Sequence, residues 1–482
     1  MALLFESLLD TDFSCSPDAR FILEVIARDP GCWLGPASEL SVKPFAKRLH
    51  VAERVVSAAL SELVDAGAME RDAPARVGSG GRATVTYTLG SCHVDALVGD
   101  DSYPQHAELL QALFSGADMV FPVLGRAPDE QDELGEEVVA AAEPKKGRRQ
   151  PPGSRGRLSI RNRLLFAVLL SRSDRFGMVQ IGLLELARLT GMQTEQMKAR
   201  LSRLMVLGLI RRHTPGLSSK VFAAGKVEST YYLNIDALKP QGAIAVHISY
   251  DWGKPNHAKT LHKQAHAYAE KVRRESGVVL VPVGLAQIWA GQRQPVFFLL
   301  QHLLYRYASH LLSHHWRRLA SDVPIEDAEL RALIKSDFVR NRNPMVAEER
   351  GGLMEESDSE VATESTDGTD SNAKQVCSSI YTMAMEVAHE YRARFGQLNW
   401  VDFEAADIRI LPAMDDLGYK SITIMLQPAP VGLGRFSVFE EVTRENVDRW
   451  LAIDEAELTL QNRMDFGLVT LPRKVKRALR LQ

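Results

Sequence analysis

Cysteine is scarce. Four residues, Cys15, Cys32, Cys92 and Cys377, are scattered over 482 positions with no CxxC pair. That spacing argues against a zinc ribbon or a disulfide framework and fits a reducing cytoplasm. Long apolar runs are missing as well. No stretch approaches the roughly 18 uninterrupted apolar residues of a membrane span. The opening MALLFESLLD is too short and too acidic for a signal peptide. There is no P-loop, no GxGxxG after a strand, no GxSxG and no HExxH. The sequence therefore points to no catalytic residue, no metal and no cofactor. The bulk composition is ordinary, 45% hydrophobic and 25% charged with a net charge of −3. The length suits about three or four domains.

The most informative stretch runs from Leu158 to Leu238. Leu164, Leu165, Val168 and Leu169 give the apolar stripe of a first helix. Leu183 to Leu189 predicts a short second helix, and Gly191 permits the tight turn after it. A third helix is expected from Thr194 to Leu207, with Met197, Leu201 and Leu204 inward and Gly208 ending it. Leu209 to Arg212 reads as a strand, His213 to Glu228 as a polar wing, and Thr230 to Ile235 as the returning strand. On the third helix Gln196, Arg200 and Arg203 are spaced as one outward stripe. Gln and Arg read adenine and guanine edges bidentately in a major groove. From Arg155 to Lys239 there are about 15 Lys and Arg against 5 Asp and Glu, a net charge near +10. Such a basic concentration is the electrostatic footprint of a nucleic-acid module. The expected DNA contacts are Gln193, Thr194, Gln196, Lys198, Arg200 and Arg203 on the helix, with Arg211, Arg212, Lys220 and Lys226 on the strand and wing.

The same unit occurs earlier. AALSELVDAGAMERD (58–72) lies over ARLSRLMVLGLIRRH (199–213) without a gap. Ser16-Pro17-Asp18 starts a helix with Phe21, Ile22, Val25 and Ile26 buried. Val42 to Leu49 and Glu53 to Ala66 follow as helices, with Val56, Leu60 and Leu63 inward in the latter. Ala68 to Arg71 and Ala83 to Leu89 read as strands. Ala59 stands for Arg200, Glu62 for Arg203 and Val55 for Gln196, so this copy's outer stripe is less suited to bases and phosphates. Arg54, Ser57, Ser61, Arg76 and Arg82 are its expected, secondary backbone contacts. A protein-binding role for the first copy is the rival reading.

Both stretches resemble the winged-helix domains of bacterial transcription regulators and of plasmid-type replication initiators. The likeness rests on Leu186-Ala187-Arg188-Leu189-Thr190-Gly191-Met192, Leu201-Ser202-Arg203-Leu204 and Gly208-Leu209-Ile210. Gln193 stands where serine is usual and Ala199 where arginine is usual. The first copy has His50 for the glycine, Ala52 for the serine and Ala58 for the arginine. The resemblance covers about a third of the chain. It implies duplex DNA as partner and a fold that is mainly α with small β-wings.

The remainder reads as follows. Winged helix-turn-helix units are expected at 16–95 and 155–240, joined by a linker at 96–154 with one possible helix from His106 to Phe114. Residues 126–156 are expected to be mobile. Residues 245–340 read as a basic helical region. Its His257, His262 and His266 include an i, i+4 pair but no HExxH glutamate. Phe297, Leu300, Leu304, Tyr307 and Leu311 recur at helical spacing, as core or as the face of a homo-oligomer. Residues 341–374 are acidic and read as a disordered linker. Residues 375–482 read as an α+β unit with a helix carrying Val376, Ile380, Met383, Val387 and Tyr391. Strands are expected at Asp407–Leu411, Ser421–Leu426 and Phe436–Glu440, and a helix at Val442–Ile453. The leading expectation is a cytoplasmic, sequence-specific transcription regulator. The alternatives are a replication or partition initiator of a mobile element and a protein-interaction adaptor.

Overall fold

The computed structural model describes residues 15–28, 42–72, 85–89, 106–115, 158–219, 221–235, 243–249, 262–263, 265–267, 289, 291–321, 323–339, 366–396, 398, 401–412, 419–426, 436–442 and 448–453. The first helix, α1 (Pro17–Ala27), opens as its sequence dictates. The Ser16 side chain accepts from the Ala19 N–H, proline occupies the first turn, and Asp18 sits at the positive end of the helix dipole. Helices α2 (Val42–Leu49) and α3 (Glu53–Asp65) follow, then the antiparallel pair β1 (Met69–Asp72) and β2 (Thr86–Leu89). Every residue of α1 from Ala19 to Ala27 is buried, Arg20 and Glu24 included. One unit cannot cover a helix on all sides, and the second covering surface comes from later in the chain.

That surface begins with α4 (Ala107–Ser115) and α5 (Ile160–Ser171). Leu164 to Leu170 are at most 1% exposed, so α5 has no solvent-facing apolar-to-polar switch and belongs to an interior. The second unit continues with β3 (Met178–Gln180), α6 (Leu183–Thr190), α7 (Thr194–Val206), β4 (Ile210–Thr214), β5 (Leu217–Ser218), β6 (Lys226–Val227) and β7 (Thr230–Leu233). The repeat is visible in the backbone. Gly67 and Gly208 end the two third helices at φ 72° and 73°, and His50 and Gly191 stand at equivalent turns with φ 56° and 67°. At Gly191 a Cβ would also come 2.8 Å from the Cys15 carbonyl oxygen.

One hydrophobic core runs from Cys15 to Ile235, which corrects the expectation of two units strung on a linker. Helix α4 is part of that core through Leu109, Leu110, Leu113 and Phe114, with the Phe21 and Phe114 rings 5.3 Å apart. Arg163 Nε donates to the Leu113 carbonyl at 2.7 Å. The stretch expected to be mobile, 126–156, lies outside the described residues.

The second half is a single α+β body. Strand β8 (Ala243–Ser249), expected inside a helical region, lies in a five-stranded sheet of order β12-β11-β8-β10-β9. Helices α8 (Gln294–His314), α9 (Ala328–Phe338) and α10 (Thr366–Phe395) precede β9 (Asp407–Pro412), β10 (Tyr419–Leu426), β11 (Phe436–Val442) and β12 (Asp448–Ile453). Strand β8 runs antiparallel to β10, with His247 opposite Ile422, and parallel to β11, with Val246 opposite Val438. The boundary drawn between 245–340 and 375–482 is therefore removed by strand pairing. Two further expectations change. Thr366–Lys374, assigned to the disordered linker, is the start of α10. The last segment, assigned to a helix, is β12, whose ladder to β11 gives that strand a second hydrogen-bonded edge.

Helix α8 carries the aromatic stripe, and α10 and β9 cover it. Phe297, Leu300, Leu304, Tyr307 and Leu311 are all buried with Tyr391, Phe395 and Ile408. The apolar face that suggested a homo-oligomer is thus buried within the chain. Strand β9 is a sheet edge, and α8 satisfies it: Ser313 Oγ and Ser309 Oγ accept from the Ile408 and Ile410 N–H groups, each at 2.9 Å.

The two halves meet where α8 crosses the β4–β7 pair. His302 Nε2 is 2.8 Å from Thr214 Oγ1, and its Nδ1 is 3.3 Å from the Tyr232 hydroxyl. Arg409 pairs with Asp174 at 3.3 Å, and Arg175 pairs with Asp407. Burial first, and then the Arg212 charge, hold the His302 imidazole down to about 3. An unfolded histidine titrates near ~6.5. Between those values the unfolded chain binds one more proton, so stability is full above about pH 6.5 and falls as pH drops toward 3. The slope from this group is at most about 1.4 kcal/mol per pH unit. Urea unfolding of His302→Gln at several pH values should show a shallower fall than the parent; an identical pH profile would overturn the assignment.

Candidate nucleic-acid interface

Helix α7 begins at Gln193, an extended N-cap whose side chain makes no capping bond. Met197, Leu201 and Leu204 are buried and fix the inward direction. At about 3.6 residues per turn, Ala199 stands opposite them, and Gln196 and Arg203 lie to one side of it. Gln193, Gln196, Lys198 and Ala199 are exposed; Thr194, Ser202 and Arg203 are half-buried. Lys198 pairs with Glu195 at 2.8 Å.

Arg200 is the first correction. It lies about a third of a turn from the outward centre and is folded back on α5. Its Nη1 donates to Asn162 Oδ1 at 2.9 Å and to Ser159 Oγ at 3.3 Å. Burial, and next the nearby Arg161 charge, lower its pKa from the usual guanidinium value. As placed, it holds the third helix to the first instead of meeting a base edge.

Arg211 and Arg212 are the second. They are 1% and 5% exposed, inside a strand covered by the core on one side and α8 on the other. Arg211 Nη2 donates to Asn234 Oδ1 at 2.6 Å. Neither side chain meets a phosphate in this arrangement. The expected wing is docked as well. Phe222 is 2% exposed and packs with Val296 and Leu299, its ring 5.7 Å from Phe338. The Ala223 N–H donates to the Asp337 carbonyl at 2.8 Å, and Ser219 Oγ donates to Gln292 Oε1 at 3.1 Å. Lys226 is exposed on the same hairpin, while Lys220 lies outside the described residues.

In the first unit Arg54, Ser57 and Ser61 are exposed along α3, on one face; Arg76 and Arg82 lie outside the described residues. Ala59 is buried, and Glu62 turns inward to accept from both the Ser16 N–H and the Ser16 hydroxyl at 2.5 Å. Of the positions that distinguish the copies, Ala59 with Arg200, and Glu62, therefore fall on the flank that faces the first helix, while Gln196 is exposed and Arg203 half-buried. Aligned by the gapless match, the outward positions are Arg54 with Glu195, Ser57 with Lys198, Ala58 with Ala199, and Ser61 with Ser202. The first outer face is not acidic.

The remaining candidate groups have structural partners. His262 and His266 bring their Nε2 atoms to 3.0 Å, and the His262 ring sits 5.1 Å from Phe297; His257 lies outside the described residues. Among the described residues no group of three or more His, Cys, Asp or Glu side chains is arranged to hold a metal ion. No described helix is long and apolar enough to cross a membrane. Comparison with known proteins finds no matching family model, no matching curated protein and no matching solved structure.

Arg200 and Lys198, two residues apart, should separate cleanly in a stability measurement. Arg200→Ala removes two hydrogen bonds from a charged donor and should cost about 1.5–3 kcal/mol. Lys198→Ala, exposed, should stay within about 0.5 kcal/mol of the parent. Equal unfolding midpoints in urea for the two variants would contradict the inward role of Arg200.

Proposed function

We propose that the chain is a non-catalytic, sequence-specific duplex-DNA-binding protein of the transcription-regulator kind. Its two three-helix units with β-hairpins are read as winged helix-turn-helix modules. One observation carries the proposal. The outer face of α7 presents Gln193, Gln196 and Lys198 to solvent with Arg203 beside them, none of them used by the core, in a stretch with a net charge near +10. Gln196 and Arg203 have the donor and acceptor geometry for adenine and guanine edges. Lys198 and Lys226 suit phosphates, which position a protein without specifying sequence.

A replication or partition initiator is the second reading. The shared core of the two units favours it, because a fixed pair of modules suits a composite site within an origin. Mapping bound sites in cells separates the two, with promoters on one side and an origin with iterated repeats on the other.

The full chain should bind duplex DNA with an affinity that falls steeply with salt. Gln196→Ala and Arg203→Ala should each cost about 1–3 kcal/mol and relax preference at one base pair. Lys226→Ala should weaken specific and random duplex alike and lower the salt slope by about one unit. Competition titrations at several salt concentrations read all three. Unchanged affinity and selectivity in both α7 variants would remove α7 as the reading element.

A further inference from the structure

The two units are related in a particular way. Their first helices start alike: Ser16 and Ser159 are extended N-caps, at φ −61° and −62°, accepting from Ala19 and Asn162 three residues on. Aligned on those serines, Asp18 corresponds to Arg161 and Arg20 to Arg163. Asp18 and Arg161 meet each other. Arg161 Nε and Nη2 donate to the two Asp18 carboxylate oxygens at 2.7 and 2.6 Å. The hydrogen bond to Asp18 raises the Arg161 pKa above the usual guanidinium value, though burial opposes it.

The second pair of equivalents crosses in both directions. Arg20 Nη1 reaches the second unit and donates to the Arg188 and Leu189 carbonyls at 2.5 and 2.7 Å, satisfying the end of α6. Arg163 reaches the first unit, its guanidinium 5.0 Å from the Phe21 ring centroid. Asp18 meeting its own equivalent Arg161 is what an isologous, two-fold contact produces, while Arg20 and Arg163 cross to unlike partners, the end of α6 and the Phe21 ring with the Leu113 carbonyl. Both third helices are tied to this axis region: α3 through Glu62 on Ser16, and α7 through Arg200 on Ser159 and Asn162.

We infer that a single chain reads an imperfect inverted repeat, with α3 on one half-site and α7 on the other, and Ala58 and Ala199 at symmetry-related positions in the two grooves. The inference rests on the DNA-binding reading above and adds the form of the target. Two-fold-related reading helices face inverted half-sites, as in dimeric helix-turn-helix proteins. Ala58 and Ala199 are both exposed, with Ser61 and Ser202 three residues on, so the centres of the half-sites share their chemistry. A small apolar side chain there matches a thymine methyl group. Arg54 against Glu195, and Ser57 against Lys198, make the flanks of the halves differ.

The test is selection of sites from a random duplex library by the full chain, with the stoichiometry measured by sedimentation. The expected site has two inverted half-sites about 10 base pairs apart, bound by one chain. A base change at either symmetric position should weaken binding about 5- to 150-fold. Ala58→Gln should alter preference in one half and Ala199→Gln at the mirrored position of the other. Direct repeats, two chains per site, or silence of Ala58→Gln while Gln196→Ala still acts would overturn the inverted target and leave DNA binding by α7 standing. Failure to enrich any duplex would sink both.

Discussion

The packing of α1 against α5 is the contact on which the rest depends. Each helix is apolar on more sides than its own unit can cover, so neither unit is complete alone. Residues Ala19 to Ala27 and Leu164 to Leu170 are buried by one another and by α3, α4, α6 and α7. Two of the polar groups caught inside reach beyond their own helices: Arg20 ends α6, and Arg163 ends α4 at Leu113. Removal from water pushes the Arg163 guanidinium down to about 10 and the Cys15 thiol up to about 11. A helix pair so enclosed fixes the relative placement of α3 and α7. Two separate modules on a flexible tether would have to order themselves on a ligand at an entropic cost.

The junction with the C-terminal body has a different character. It is built from a buried histidine between two hydroxyls, two arginine–carboxylate pairs and one aromatic knob. Interfaces between domains of one chain are commonly polar in this way, and polar junctions open more readily than apolar ones. The hairpin that would serve as a wing is committed to this junction through Phe222. Any DNA contact by the second unit in this conformation therefore falls to α7 and to exposed residues such as Lys226.

Local structure was largely legible in the sequence, and long-range covering was not. The second and third helices of both units, α2, α3, α6 and α7, lie within a residue of their expected bounds, because apolar spacing and terminal glycines are local signals. The buried choices Met197, Leu201 and Leu204 follow from the same periodicity. Arg211 and Arg212 were read as surface because a basic pair in a short strand usually is. The element beside Arg212, α8, lies about 90 residues downstream and carries no mark in the strand itself. Strand β8 failed for the same reason: AIAVHIS becomes a central strand only when β10 and β11 arrive from the far end of the chain. Arg200 failed on phase. Three apolar positions define a helix face only to within about a residue, and the acceptors Ser159 and Asn162 then decide where a long side chain goes.

Counted along the sequence, the second unit carries a net charge near +10. Counted on its surface, much of that is spent. Arg161 faces Asp18, Arg175 faces Asp407, Arg188 faces Glu185 and Lys198 faces Glu195. Arg211 and Arg212 are buried, and Arg163 and Arg200 are half-buried. Salt bridges exposed to solvent are weak, about 0–1 kcal/mol, so Lys198 and Arg188 can exchange a carboxylate for a phosphate at little cost. Buried arginines cannot make that exchange without unpacking the core. Under the DNA-binding proposal, counterion release would scale with a handful of exposed cations, not with the sequence count. On that proposal selectivity would fall to Gln196 and Arg203, with Ala199 and Ser202 beside them on the outer side of α7.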